Sequence, residues 1–351
     1  MPGGLRWRMR VFSSALCLLS CLPALSSAGD QFENAILRQI AVGSCHRTGP
    51  KSEEAFAPIV RAKPDVFLFL GDNIYGDTRD MKVLREKYAA LDAVATWKQL
   101  RESTRVFATW DDHDYGENDA GAAFPMRAES AEIFKDFFRF PIAHPARGRE
   151  GVYHSATFGP EGKRVQIILL DTRYFRSILR QEMVDGRKAY VPDSWSKEKT
   201  MLGKEQWWWL ERELAEPAEV RIIGSSIQIL PEEHRFEKWA NLPMEREKLL
   251  NKLAAAKGRL VLLSGDRHFA EISRQTVGGV ELVEMTTSGM THAGGGRAPG
   301  GVAETNRHRV GEAVSSQNWG TVSIEWKDNA QPGLKVEIRD MEGKAAVTHS
   351  W

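Results

Sequence analysis

The stretch FLFLGDNIYGD, residues 67–77, runs apolar residues straight into Gly71 and a carboxylate, Asp72, with Tyr75 three positions further on. A short apolar run without polar alternation reads as a strand buried on both faces. Such a strand delivers Asp72 to its carboxyl end. The pattern recurs at QIAVGSC (39–45), RVFATWDDHD (105–114), VQIILLDTR (165–173), VRIIGSSIQ (220–228) and RLVLLSGDRH (259–268). Each run ends abruptly in polar residues: Cys45, Asp112, Asp171, Ser225 with Ser226, and Asp266 with His268.

Helical patterns lie between several of these runs, at SEEAFAPIVRAK (52–63), AESAEIFKDFFRF (128–140), MLGKEQWWWLERELAE (201–216) and MEREKLLNKLAAAK (244–257). Strands alternating with helices imply a layered α/β architecture whose reactive side chains gather at the carboxyl ends of the strands. The tail segments WGTVSIEW (319–326) and GLKVEIRD (333–340) alternate polar and apolar residues and predict a closing antiparallel pair. In QWWWLEREL, Trp207 shares a helical stripe with Leu210 and Leu214, which suits a core, and Trp239 is expected near the rim of the pocket. HAGGGRAPGG, residues 292–301, reads as a surface loop.

The 351 residues carry 48 basic and 47 acidic side chains in mixed-sign clusters, so no basic stripe predicts a nucleic-acid partner. Arg6, Arg8 and Arg10 precede an apolar run from Val11 to Leu25 and the small residues Ser26, Ser27 and Ala28. That pattern predicts a secretory signal over residues 1–28, cleaved after Ala28, and a single mature domain over residues 29–351. A rival reading takes Leu18–Ser20 before Cys21 as a lipid-attachment signal, which would tie the protein to a membrane. Cleavage after Ala28 leaves Cys45 as the one thiol, so no internal disulfide is expected in an oxidising compartment and a metal is one way to hold it.

One aspartate at a strand end is commonly a turn or cap residue. Asp72, Asp112 and Asp266 on one rim would repel one another unless cations lay among them, and two metals suit this ligand count better than one. His268 follows Asp266 by two residues, with Gly265 allowing close backbone approach. In TWDDHDYGEND, His113 sits beside these ligands, and Asp114 is expected to orient its ring so that it can act as a general acid.

GDNIYGD resembles the GDxxY block of metallophosphoesterases, WDDHD resembles their GNH(D/E) block, and GDRH resembles their GHxH block with Asp266 in place of the first histidine. With Cys45 in GSC, and with LLDTRYFRS, GSSIQILPEEH, TTSGMTH and QNWG in the same order, the chain resembles the alkaline phosphatase D (PhoD-like) branch over residues 38–325. The resemblance implies a four-layer α/β/β/α sandwich and hydrolysis of phosphodiesters, phosphomonoesters or both by attack of a metal-activated hydroxide on phosphorus. Many members carry an N-terminal β domain, which is expected to be absent here. Carried over, Asp72 would bridge two metals, Cys45, Tyr75 and His268 would join it on one, and Asp112 and Asp266 would serve the other. The family implies iron and calcium. Thiolate, phenolate and carboxylate suit Fe(III), the Asp-rich position suits Ca(II), and other divalent metals remain open. His113 and Asp114 are the expected catalytic pair. Arg173, His292 and Asn318 are candidate contacts to a small phosphate-ester substrate, and Thr291 lies beside them. Ser225 and Ser226 stand where the family often has amides, which leaves their part open. The competing readings are a catalytically silent phosphate- or metal-binding protein on the same fold, and a surface-binding module that uses exposed tryptophans.

Overall fold

The computed structural model describes residues 34–193, 196, 198–295, 304–328 and 330–351. The expected signal over residues 1–28, with Cys17 and Cys21, lies outside the described residues, as does part of the glycine-rich loop. Among the described residues no helix is long and apolar enough to cross a membrane.

All six apolar runs form strands, divided between two sheets. In the first sheet the strands lie in the order Ala345–Ser350, Gly333–Arg339, Trp319–Glu325, Gln39–Gly43, Val66–Leu70 and Arg105–Thr109. The last three are mutually parallel, and the predicted tail pair is antiparallel with Trp319 opposite Arg339. In the second sheet the order is Arg309–Val314, Ala270–Val277, Val280–Thr287, Arg259–Ser264, Val220–Gly224, Val165–Leu169 and His154–Phe158. Here Val165–Leu169, Val220–Gly224 and Arg259–Ser264 run parallel.

Side-chain alternation along these strands builds three apolar layers. Leu68 and Leu70 point inward and meet Val165, Ile167, Leu169, Val261 and Leu263 of the other sheet. Phe67 and Phe69 point outward and pack with Phe56, Leu84, Trp97 and Phe134 from the helices covering the first sheet. Ile168, Leu260 and Leu262 point the other way, onto Trp207, Leu210, Leu249 and Leu253 of the helices covering the second. Helices, sheet, sheet and helices therefore make a four-layer α/β/β/α sandwich. Trp207 and Trp209 are buried in that outer layer, whereas Trp208 is 67% exposed.

Two helices in the first layer, Met81–Ala93 and Ala95–Ser103, join those expected from sequence. The first buries only Leu84, Tyr88 and Leu91, a narrow stripe that its charged neighbours obscure. Its start is set by Asp80, whose carboxylate accepts from the Lys82 amide at 2.8 Å.

The turn after Val66–Leu70 fixes where the rim begins. Gly71 has a φ of +94°, and a Cβ there would lie 2.6 Å from Asp111 Cβ and 2.8 Å from the Asp111 nitrogen. Gly71→Ala must therefore push apart the two loops that carry Asp72 and Asp111, besides straining its own backbone. The expected outcome is a loss of about 2 kcal/mol or more in chemical denaturation. Unchanged stability would show that these loops can separate freely.

Candidate metal centre

Both sheets end their parallel strands at one rim, and the residues there leave regular strand geometry at once. Cys45, Asp72, Asp266 and His268 all have left-handed backbone, with φ of 57°, 51°, 69° and 56°. Left-handed geometry disfavours side chains other than glycine, at about 1–3 kcal/mol each, and persists where surrounding contacts over-determine it. It turns four reactive side chains back over the strand ends. The turns are locked by main-chain bonds: Cys45 N donates to Gly71 O at 3.3 Å, and His46 N donates to Asp72 O at 2.8 Å.

Around Asp72 these turns assemble one group. The Cys45 thiol lies 3.3 Å from Asp72 Oδ2 and the Tyr75 hydroxyl lies 3.3 Å from the same oxygen. His268 Nε2 is 3.0 Å from that hydroxyl. Ser288 holds the ensemble from beneath, with its hydroxyl 3.0 Å from Cys45 Sγ and accepting from the His268 amide at 2.6 Å. A second group of donor atoms belongs to Asp111, Asp112 and Asp266, and a third to Asp72, Asp112 and His113. Within each group the donor atoms lie within 4.8 Å of one another, close enough to share an ion. Asp72 belongs to both the thiol-containing group and the group with Asp112 and His113, and Asp112 links the latter to Asp111 and Asp266.

The chemistry of these donors calls for cations. Asp72 Oδ1 and Asp111 Oδ2 are buried without a hydrogen-bond partner. An orphaned buried acceptor costs about 1–3 kcal/mol, and more when charged. Burial, and then the charge of Asp112, pushes the Asp72 carboxyl well above the usual range. Burial and Asp111 do the same to Asp266. Burial followed by Asp72 raises the Cys45 thiol, and the same two causes raise the Tyr75 phenol. Burial and the neighbouring His292 lower His268 to about 3, so its ring is neutral and able to ligate. A cation bound among them would take the place of these protons. Asp112 behaves differently: burial would raise it, but Arg173, His113 and the Asp119 amide hold it at about 2.

His113 is oriented by a different carboxylate from the one expected. Its Nδ1 lies 2.6 Å from Asp77 Oδ1, and its ring stacks on Tyr75 at 4.2 Å between centroids. Burial alone would lower the ring, but the Asp77 hydrogen bond and the charges of Asp112 and Asp77 lift it to about 9. Asp114 cannot serve this ring, because both its oxygens are committed elsewhere. Oδ1 accepts from the amides of Asp72 and Asp111, and Oδ2 accepts from the Asn73 amide and side chain. Asp114 is a buried staple between the two aspartate-bearing turns.

Arg173 is also placed differently. Its side chain is fully buried and pairs with Asp111 at 2.6 Å and Glu237 at 2.5 Å, and Arg176 reaches Glu237 at 2.7 Å. It does not pair with the Asp171 side chain, which accepts from the Arg173 and Tyr174 amides. Arg173 therefore supports the carboxylates from behind. Ser226 shares that task, donating to Asp111 Oδ1 at 2.6 Å, while Ser225 accepts from the indole N–H of Trp239. Trp239 is fully buried, so it does not rim the pocket. Asn318 is buried, its side chain donating to Ser316 O and its amide to Gly289 O. His292 does reach the centre and stacks on His268 at 4.1 Å. Sequence reading left out Ser288, gave Asp111 no separate part, and did not pair Asp77 with His113.

A model of the PhoD-like phosphatase family matches residues 40–336. Alkaline phosphatase D of Bacillus subtilis (strain 168) is 24% identical over 273 residues, 65% of this chain and 45% of that protein, so the likeness spans less than half of the relative. Among solved structures, that of PhoD superposes with a TM-score of 0.69 at 19% identity, covering 90% of this chain and 72% of the other. A dimetal phosphatase from Danio rerio gives 0.52 at 14% identity, covering 90% and 99%. GAP50, the anchor in the inner membrane complex of Plasmodium, gives 0.52 at 11%, covering 90% and 88%. The architecture is thus that of the metallophosphoesterase-like sandwiches. The chain belongs to the PhoD-like phosphatase family.

The raised carboxyls make a prediction about stability. Asp72 and Asp266 have folded values above their unfolded ones, so the stability tied to their protons is present below about pH 4 and is lost as pH rises through the folded values. His113, lifted to about 9, loses its contribution in the same direction, from its ordinary value upward. Asp112 stays ionised throughout the neutral range and adds no slope there. The chelated protein is therefore expected to melt at progressively lower temperature from pH 5 to pH 8, and added divalent cation to restore it most at the upper end. Equal melting with and without cation across that range would contradict the site.

Proposed function

We propose that the protein is an exported, metal-dependent phosphoesterase that hydrolyses phosphodiesters, phosphomonoesters or both. The observation that carries this reading is Asp72, whose carboxylate is shared by the group with Cys45 and His268 and the group with Asp112 and His113, while Oδ1 lacks a protein partner. Cys45, Tyr75, His268 and Asp72 would hold one metal, and Asp72, Asp112 and Asp266 the second. Thiolate and phenolate favour Fe(III) at the first position, and an oxygen-only set favours Ca(II) or another divalent ion at the second. Bound cations supply an activated water at neutral pH and offset charge on the phosphoryl oxygens.

The protein's own groups do the rest. His113 is charged at neutral pH, and Asp77 fixes its Nδ1, so Nε2 is left to give a proton to the departing oxygen. Arg173 and Ser226 keep Asp111 in place. The partner is a small phosphate ester rather than a nucleic acid, in keeping with the balanced charge. Export rests on the arginine-led apolar segment ending at Ala28, and lipid attachment at Cys21 is the alternative that would bring the enzyme to a membrane. A catalytically silent protein on this fold would have no use for the Asp77–His113 pair.

Turnover of a chromogenic diester and the matching monoester, with and without chelation, tests the activity, and the ratio of the two rates separates diesterase from monoesterase. Asp72→Asn should lower both metal content and turnover, the latter more than about 100-fold. Full turnover with reduced metal would remove the bridging part assigned to Asp72. His113→Ala should cost about 10²–10⁴-fold with an alkyl leaving group and much less with nitrophenolate, which departs without a proton. Equal losses on the two would argue against proton donation.

A further inference from the structure

Beside the metal centre lies an open pocket of about 400 Å³ lined by Arg47, Thr48, Ile74, Tyr75, Gly76, Asp77 and Lys87. Tyr75 forms the wall between the two spaces, its hydroxyl turned toward Asp72 and its ring toward Arg47.

Arg47 is held in place through its main chain. Its amide donates to the Thr291 hydroxyl at 2.6 Å, and that hydroxyl donates back to the Arg47 carbonyl at 3.1 Å. The guanidinium then rests over the Tyr75 ring, 4.5 Å from the centroid. Stacking of this kind fixes the plane of the group while leaving its N–H edges open. Among the described residues no carboxylate pairs with Arg47 or with Lys87, and the acid in the pocket, Asp77, is engaged by His113. Some guanidiniums elsewhere are paired with carboxylates, as at Arg173, Arg176, Arg164 and Arg147. Two open cations facing one recess beside an ester-cleaving centre make a receptor for an anion.

Resting on the phosphoesterase reading above, we infer that Arg47 and Lys87 form a specificity subsite for a second anionic group of the substrate, separated by the alcohol skeleton from the phosphorus that reacts. The favoured substrates are phosphate esters that carry a further phosphate or carboxylate on the alcohol side. Arg47 supplies a fixed, forked donor, and Lys87 supplies charge from the exposed helix wall. Thr291 positions Arg47 and does not itself meet the substrate.

The test compares two esters that differ only in the second anion: the p-nitrophenyl ester of thymidine 5′-phosphate with and without a 3′-phosphate. The native, metal-loaded protein is expected to prefer the 3′-phosphorylated ester in kcat/KM. Arg47→Ala should lower the ratio of the two kcat/KM values by roughly tenfold or more, as expected for loss of charge-assisted hydrogen bonds. Lys87→Ala should lower it less, and Arg47→Lys should recover part of it. A native ratio near one, or a ratio that Arg47→Ala leaves unchanged, would overturn the subsite. If the native protein cleaves neither ester, the phosphoesterase reading fails separately, and calorimetric binding still decides the subsite. There, thymidine 3′,5′-bisphosphate should bind more tightly than thymidine 5′-monophosphate to the native protein and lose that advantage in Arg47→Ala. Equal binding of the two by the native protein would contradict the proposal.

Discussion

Everything at the rim answers to the mutual repulsion of four buried carboxylates, Asp72, Asp111, Asp112 and Asp266. Such charges cannot share a dry space unless protons or cations stand between them. The two sheets bring them together by ending parallel strands at one edge, and the left-handed turns at Asp72 and Asp266 point them at a common volume. Soft and phenolic donors, Cys45 and Tyr75, meet at Asp72 Oδ2, and Asp72 also shares a donor group with Asp112, which in turn shares one with Asp111 and Asp266. The division into two chemically distinct positions follows from which strand end supplies each side chain.

A cluster under this tension needs supports behind it. Arg173 and Arg176 with Glu237 form a buried charged brace behind Asp111, and Ser226 ties the next strand end to the same oxygen. Breaking one member of such a buried pair costs about 3–5 kcal/mol, so the brace is rigid as well as compensating. Asp114 staples the turn carrying Asp72 to the turn carrying Asp111 through four hydrogen bonds to amide groups. The centre is preorganised by residues that hold its donor side chains and turns in place.

Much of this was legible in the chain. Unbroken apolar runs ending in polar residues marked six of the parallel strands and the edge on which they gather, because burial on both faces leaves no alternation to confuse the reading, whereas Val280–Thr287, also parallel to Arg259–Ser264, was not marked. The gathering of Cys45, Asp72, Tyr75, Asp112, Asp266 and His268 followed from those endings and from family motifs. The division of the strands between two sheets did not follow from periodicity, which says what a face contacts only after the fold is known. Adjacent acids were the other limit. Asp111, Asp112 and Asp114 differ only in the direction the short helix at Asp112–Tyr115 gives them, so the staple was mistaken for the partner of His113. Asp77, distant in sequence from His113, carries no local sign of its contact. Arg173 and Trp239 are polar or amphipathic side chains whose full burial depends on partners from other strands.

The proposed function would place Asp72 between two cations. Diffraction from crystals of the metal-loaded protein, with anomalous scattering recorded on either side of the metal absorption edges, tests it most directly. The account predicts two metal peaks, one bounded by Cys45, Tyr75, His268 and Asp72 and the other by Asp72, Asp112 and Asp266. A single metal, or two metals neither of which touches Asp72, would contradict it.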